Sequence, residues 1–395
     1  MNKILDTFQN LSNIQKILVI LIGVIFFYGG STIISYSVFS GNASTSLTGG
    51  DGKLTALPGP SSAFEEDPKA PKTEACPLNG EKRTKKAREF WEKRRPLAVM
   101  VENHTEARPQ SGLSSADVVY EAVAEGGISR FMALFYCNLS DTQVGPVRSA
   151  RTYFLDWASE YDPLYAHVGG ANTPGPADAL GQIVKYGIKS LNQFGIGFPT
   201  YWRDYQRLGH PVATEHTMYS TTQKLWETGA KRGWTATDSA GLTWDRNFTE
   251  WEFKDGQASS GANQEITVNF WESQPAYKVV WNYDSASNSY KRKNGGEAHM
   301  DLNNNYQIAP KTVIIQFQKE SNANDGYPGN VHLLYGTTGS GKALIFQDGK
   351  VTEGKWNKVS RTARSKYTDS AGKEITLNRG QIWIQTVPEG SKVSY

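Results

Sequence analysis

Cysteine is almost missing from this 395-residue sequence: Cys76 and Cys137 are the only two. There are six histidines and no His-Glu-x-x-His or Cys-x-x-Cys pairing, so the motif-borne zinc sites have no donors at the required spacing and no metal is expected. Charge of one sign is missing too. Forty-two basic residues face 39 acidic ones, a net charge of +3 with no long basic run, which gives no footprint for nucleic acid. No fixed-period repeat is present, which excludes solenoids and propellers. No Gly-x-Ser-x-Gly elbow surrounds Ser111 or Ser149, which leaves a serine-hydrolase reading without its nucleophile turn.

One thing is abundant where charge is absent. Residues 17–39 carry no charged side chain. As a helix they would span roughly 34 Å, enough for an apolar bilayer core of about 30 Å. Lys3 and Lys16 precede the run and no Lys or Arg follows it before Lys53. The positive-inside rule therefore expects a single-pass membrane helix with residues 1–16 in the cytoplasm and the rest outside. No cysteine follows the run to carry a lipid. Residues 40–75, rich in Gly, Ser, Thr, Pro and Ala, read as a flexible linker. Outside the cytoplasm Cys76 and Cys137 can form a disulfide, which would close a loop of about 60 residues and contribute roughly 4 kcal/mol. Two separate buried thiols are the alternative.

From Cys76 the texture becomes that of a folded body. Strand signals at 96–101, 116–124, 130–137 and 164–168 alternate with helical spacing at 149–161, 177–186 and 220–232. Ser220 is placed to cap the last helix, with Gln223 in the reciprocal capping-box position. After residue 240 come short strands separated by Asn- and Gly-rich turns. The expected architecture is an α/β (or α+β) domain over 76–240, followed by a β-rich, mostly antiparallel domain over 241–395. Residues 336–343 (GTTGSGKA) match the Gly-x-x-x-x-Gly-Lys spacing of a phosphate-binding loop, but Ala343 replaces the magnesium-binding hydroxyl and a strand pattern follows. A hairpin turn is expected there and no nucleotide.

Several motifs stand in order: 102–104 (ENH), 107–113 (ARPQSGL), 116–121 (ADVVYE), 125–131 (EGGISRF), 144–151 (VGPVRSAR) and 167–170 (HVGG). With 295–301 (GGEAHMD), Lys355-Trp356 and 377–384 (LNRGQIWI), they resemble DUF3048, the YerB-like family of bacterial envelope proteins, over about 76–395. The resemblance implies an exported, membrane-tethered protein. Many members carry a lipoprotein signal, whereas here a helix takes the lipid's place. It implies no reaction, no cofactor and no catalytic residue.

The candidate site residues are Glu102, Asn103, His104, Arg108, Glu121, Glu125, Arg130, Arg148, Arg151, Asp156, Asp162 and His167. Arg148 and Arg151 would share a face if helical, and two adjacent guanidiniums require an anion or carboxylates between them. A buried ion-pair network, an anion-binding site and catalysis are the three readings. The binding reading takes a wall glycopolymer, with Tyr201 and Trp202 stacking on sugars, or an envelope-assembly protein as partner. The enzymatic reading acts on phosphate-containing polymers, with a distant similarity to the LytR-CpsA-Psr phosphotransferases. A pocketless scaffold is the third alternative. His210 and His216 read as a turn leading into the Ser220 helix.

Overall fold

The computed structural model describes residues 66–260, 264–327 and 331–395. The expected membrane span and most of the linker lie outside these residues. Among the described residues no helix is long and apolar enough to cross a membrane.

The backbone is organised by two sheets. Strands β1 (Leu97–Glu102), β2 (Val118–Glu125), β3 (Ile128–Phe135), β4 (Leu164–His167) and β5 (Lys189–Asn192) come from the first half of the body. The second half supplies β6 (Glu265–Val268), β7 (Val279–Asp284), β8 (Ser289–Asn294), β9 (Glu297–Ala298), β10 (Thr312–Gln318), β11 (Gly339–Gln347), β12 (Lys350–Lys358), β13 (Lys366–Asp369), β14 (Ile382–Pro388) and β15 (Val393–Ser394). The larger sheet has ten strands in the order β13-β12-β11-β10-β14-β2-β3-β1-β4-β5. The smaller has five, β9-β8-β7-β6-β15.

Burial follows the sequence pattern. Every residue of β1 and β10 is buried. Their near-continuous apolar runs suit a sheet covered on both faces. Strand β7 alternates instead, with Val279, Trp281 and Tyr283 turned inward. That period of two is the signature of a sheet with one wet face.

The segments expected as separate domains share the larger sheet. Strand β14, near the end of the chain, lies parallel to both β10 and β2, pairing Ile382 with Thr312 and with Val118. The second segment is thus not purely antiparallel. Its apolar run 382–384 is buried between strands from both halves, which a free-standing domain could not provide.

Local structure departs from expectation in three further places. Residues 66–75, assigned to the linker, are ordered: Lys72–Ala75 pairs with Lys82–Thr84, and Glu66 accepts from the Thr84 amide at 2.7 Å. The final helix is Thr222–Lys231, with Thr221 as its cap accepting from the Lys224 amide. Ser220 has spent its hydroxyl on the Thr200 carbonyl, and Gln223 bonds Glu227 rather than closing a capping box. Finally, Gly339 and Lys342 belong to strand β11, whose hairpin to β12 turns at Asp348 and Gly349. No helix follows to hold a phosphate. Cys76 and Cys137 are joined in a disulfide that ties the start of the body to the end of β3.

Candidate functional site

Strand β1 delivers Glu102 to the inside of the molecule, where it is 4% exposed. One carboxylate oxygen stands 3.0 Å from Arg148 Nε, and the other accepts from His216 Nδ1 at 2.8 Å. The hydrogen bond to Glu102 is the main influence holding the His216 pKa above its ordinary value, against the opposing effect of burial. The His216 ring stacks on His104, centroids 4.6 Å apart and planes 13° from parallel.

The next residue begins a buried network. Asn103 Oδ1 accepts from Arg108 Nε, Gln110 Nε2 and Asn294 Nδ2 at 3.2, 3.2 and 2.7 Å. Its amide nitrogen donates to Ser129 Oγ, which donates in turn to Glu121. Glu121 also receives Arg292 Nη2, Trp383 Nε1 and Gln385 Nε2, all within 3.0 Å. Arg292 Nη1 donates to His299 Nδ1, so the His299 Nε2–H is free to donate to Gln110 Oε1. That pattern requires a neutral imidazole. Burial, helped by the charges of Arg292 and Arg108, pushes the His299 pKa well down. Arg108 spends its remaining donors on the Ala276 and Asn103 carbonyls. Burial lowers its pKa to about 10.

The other expected site residues are also paired. Arg151 does not share a helical face with Arg148. It is the residue preceding helix Thr152–Ala158, and it pairs with Glu125, which also holds Arg130 at 3.1 Å. Asp162 holds Arg95 and Lys189 at 2.9 and 2.8 Å, and Asp156 accepts from Thr337 Oγ1. His167 is fully buried between the Gly169 carbonyl and Ser190 Oγ. Tyr201 is buried with its hydroxyl on the Leu191 carbonyl, which removes it as a sugar platform.

Arg148 is the exception. Its side chain is 26% exposed, and only Nε faces Glu102. Among the described residues, neither Nη atom has a protein partner. The guanidinium borders a groove of about 500 Å³ with Gly169, Gly170, Phe194, Arg203 and Glu215. Gly169 has φ +57°, and a Cβ there would stand 2.8 Å from the Phe194 ring, so only glycine lets that ring lie over the groove floor.

Two family models match the chain: the N-terminal domain of the protein of unknown function DUF3048 at residues 78–235 and its C-terminal domain at 266–384. The chain belongs to the DUF3048 family. A relative from Bacillus subtilis (strain 168), named "Putative lipoprotein YerB", is 31% identical over 315 residues, covering 80% of this chain and 86% of the relative. The crystal structure of the YerB protein from Bacillus subtilis superposes with a TM-score of 0.67 at 27% identity, over 82% of this chain and all of that one.

In this DUF3048 protein the two matched regions meet inside the Glu121 network. Arg292, His299 and Trp383 come from the second region and Gln385 directly follows it, and sequence reasoning missed them as site residues. The signals were an Arg in an alternating strand and a Gln within an apolar one: polar groups on buried positions demand partners. His216 was also missed. It lies 114 residues from Glu102 and no local spacing links the two.

Proposed function

We propose that this protein is a membrane-anchored, extracytoplasmic envelope protein that binds an anionic wall glycopolymer in the groove beside Arg148. The observation that carries the reading is the half-used guanidinium: Arg148 lines the groove with its Nε 3.0 Å from the Glu102 carboxylate, and among the described residues neither Nη atom has a protein partner. A planar fork fixed at one edge is well suited to a phosphate or uronate group. Arg203, exposed on the same groove, adds positive charge. Phe194, 76% exposed over Gly169, offers an apolar face for a sugar ring.

The location is supported by three facts. Residues 17–39 have the length and freedom from charge of a bilayer span. The body contains a disulfide, a bond that persists in oxidising compartments. The B. subtilis relative's name describes a lipoprotein, and a hydrophobic helix serves the same purpose as a lipid.

The test is retention of the detergent-solubilised full chain on immobilised poly(glycerol phosphate) and on neutral dextran. The charged polymer should retain the chain, less so at high salt, and Arg148→Ala should abolish retention. Equal retention on both polymers, or an unaffected Arg148→Ala variant of intact fold, would overturn the reading.

A further inference from the structure

We infer that His104, Glu106 and His216 form a binding site for a divalent transition metal of the zinc type, oriented from behind by Glu102. The site lies next to the groove but uses none of its ligand-facing groups, so it stands apart from the polymer reading.

Three donors converge. A ring nitrogen of His104, a carboxylate oxygen of Glu106 and a ring nitrogen of His216 all lie within 4.8 Å of one another. His216 Nε2 and Glu106 Oε2 are 3.6 Å apart. Donors in a tetrahedral zinc site, with bonds of about 2.0–2.1 Å, stand roughly 3.3 Å apart. Closing the remaining distance requires little more than a rotation of Glu106, whose side chain is 55% exposed.

The electronic arrangement points the same way. Glu102 is a carboxylate and only accepts, so its 2.8 Å contact fixes the His216 proton on Nδ1. In the neutral ring, the Nε2 lone pair then faces the Glu106 carboxylate. Two electron-rich atoms facing each other are stabilised by a shared cation, which is a proton on Nε2 when no metal is bound and which a metal ion replaces on binding. A carboxylate behind a histidine is also the usual outer-shell support of a metal ligand, setting tautomer and ring direction together. Glu102 and Glu106 outweigh Arg148 in charge, which suits a dication.

The site joins two short turns. His104 and Glu106 belong to the turn that follows β1, whose helical part is Thr105–Ala107, and His216 ends the turn Thr214–His216. The His104–His216 ring stack holds the turns together, and because a ring nitrogen's lone pair lies in the ring plane, metal binding requires the half-buried His104 ring to turn out of the stack toward His216 Nε2. Binding through His104 Nε2 would give up the long 3.3 Å contact that its Nδ1 accepts from the Glu106 amide. Two imidazoles and one carboxylate favour zinc over magnesium or calcium, which take oxygen donors. Three protein donors leave a fourth position open to water.

The experiment uses the untagged full chain in detergent, stripped with a chelator and titrated calorimetrically with zinc chloride alone. One ion per chain is expected, with cobalt substitution giving the visible bands of a four-coordinate ion and excess magnesium failing to compete. Glu106→Ala and His104→Ala should each weaken zinc at least about tenfold, and Glu102→Gln roughly 10–100-fold, the range for outer-shell carboxylates. Glu106 is exposed, so its replacement leaves the fold intact and polymer retention unchanged. Absence of stoichiometric zinc, or affinity unchanged in both Glu106→Ala and His104→Ala, would overturn the inference.

Discussion

Glu121 and Arg292 lie 171 residues apart in the chain, yet Arg292 Nη2 stands 2.8 Å from Glu121 Oε1 with neither side chain exposed to solvent. Glu121 is on β2, in the first matched region, and Arg292 on β8, in the second. The guanidinium is also surrounded by Phe131, Trp281 and Trp383, with ring centroids 5.0–5.5 Å away. This pair joins the two sheets.

Removing one partner leaves the other charged and buried. Glu121→Ala should cost about 3–5 kcal/mol, since it strands Arg292 and also removes the acceptor of Trp383 and Gln385. Urea unfolding of Glu121→Ala, Arg292→Ala and the double variant checks this. The double variant should lose much less than the sum of the singles. Strict additivity would mean that the pair is not coupled.

The same geometry bears on whether the halves can be separated. Besides β14 between β10 and β2, the fully buried Glu160 holds Lys358 at 2.9 Å and Arg364 at 3.3 Å. Fragments 66–240 and 241–395 should each fail to fold alone and should fold when produced together. Near-ultraviolet circular dichroism reads the outcome. A cooperative transition in either isolated fragment would contradict the shared core.

A pH effect follows from His167. Burial pushes its pKa down to about 4, so the folded protein keeps the ring neutral while the unfolded chain titrates near 6.5. Between these values the unfolded state binds more protons, so the stability contributed by the neutral ring is complete above about pH 6.5 and is lost as pH falls toward 4. The stability advantage over His167→Asn should shrink by about 2 kcal/mol between pH 7 and pH 5. Nuclear magnetic resonance should place the His167 midpoint near 4. A midpoint near 6.5 would refute the assignment.

Much of the fold is legible in the residues themselves. The apolar run of β1 marks a doubly covered strand, and the alternation in β7 marks a half-wet one. Local cues are less secure where two residues compete for one role: Ser220 and Thr221 can both cap, and the carbonyl of Thr200, distant in sequence, decides between them. The candidate cluster is legible as a set of charges but not as a set of pairs. Arg148 and Arg151 are three residues apart, yet the turn before helix Thr152–Ala158 sends one to Glu102 and the other to Glu125. Long-range partners such as Arg292 leave no local periodicity. Their only trace is a polar residue where burial is expected.

The proposed function divides the labour between two neighbouring arginines: Arg151 serves the fold and Arg148 the proposed polymer site. The most direct measurement compares Arg148→Gln with Arg151→Gln in both urea stability and retention on poly(glycerol phosphate). Arg151→Gln strips Glu125 of a buried partner and should cost about 3 kcal/mol while binding persists. Arg148→Gln should retain most of the stability, because Glu102 still holds His216, and should lose at least about tenfold in binding. Wild-type binding by a folded Arg148→Gln variant would contradict the account.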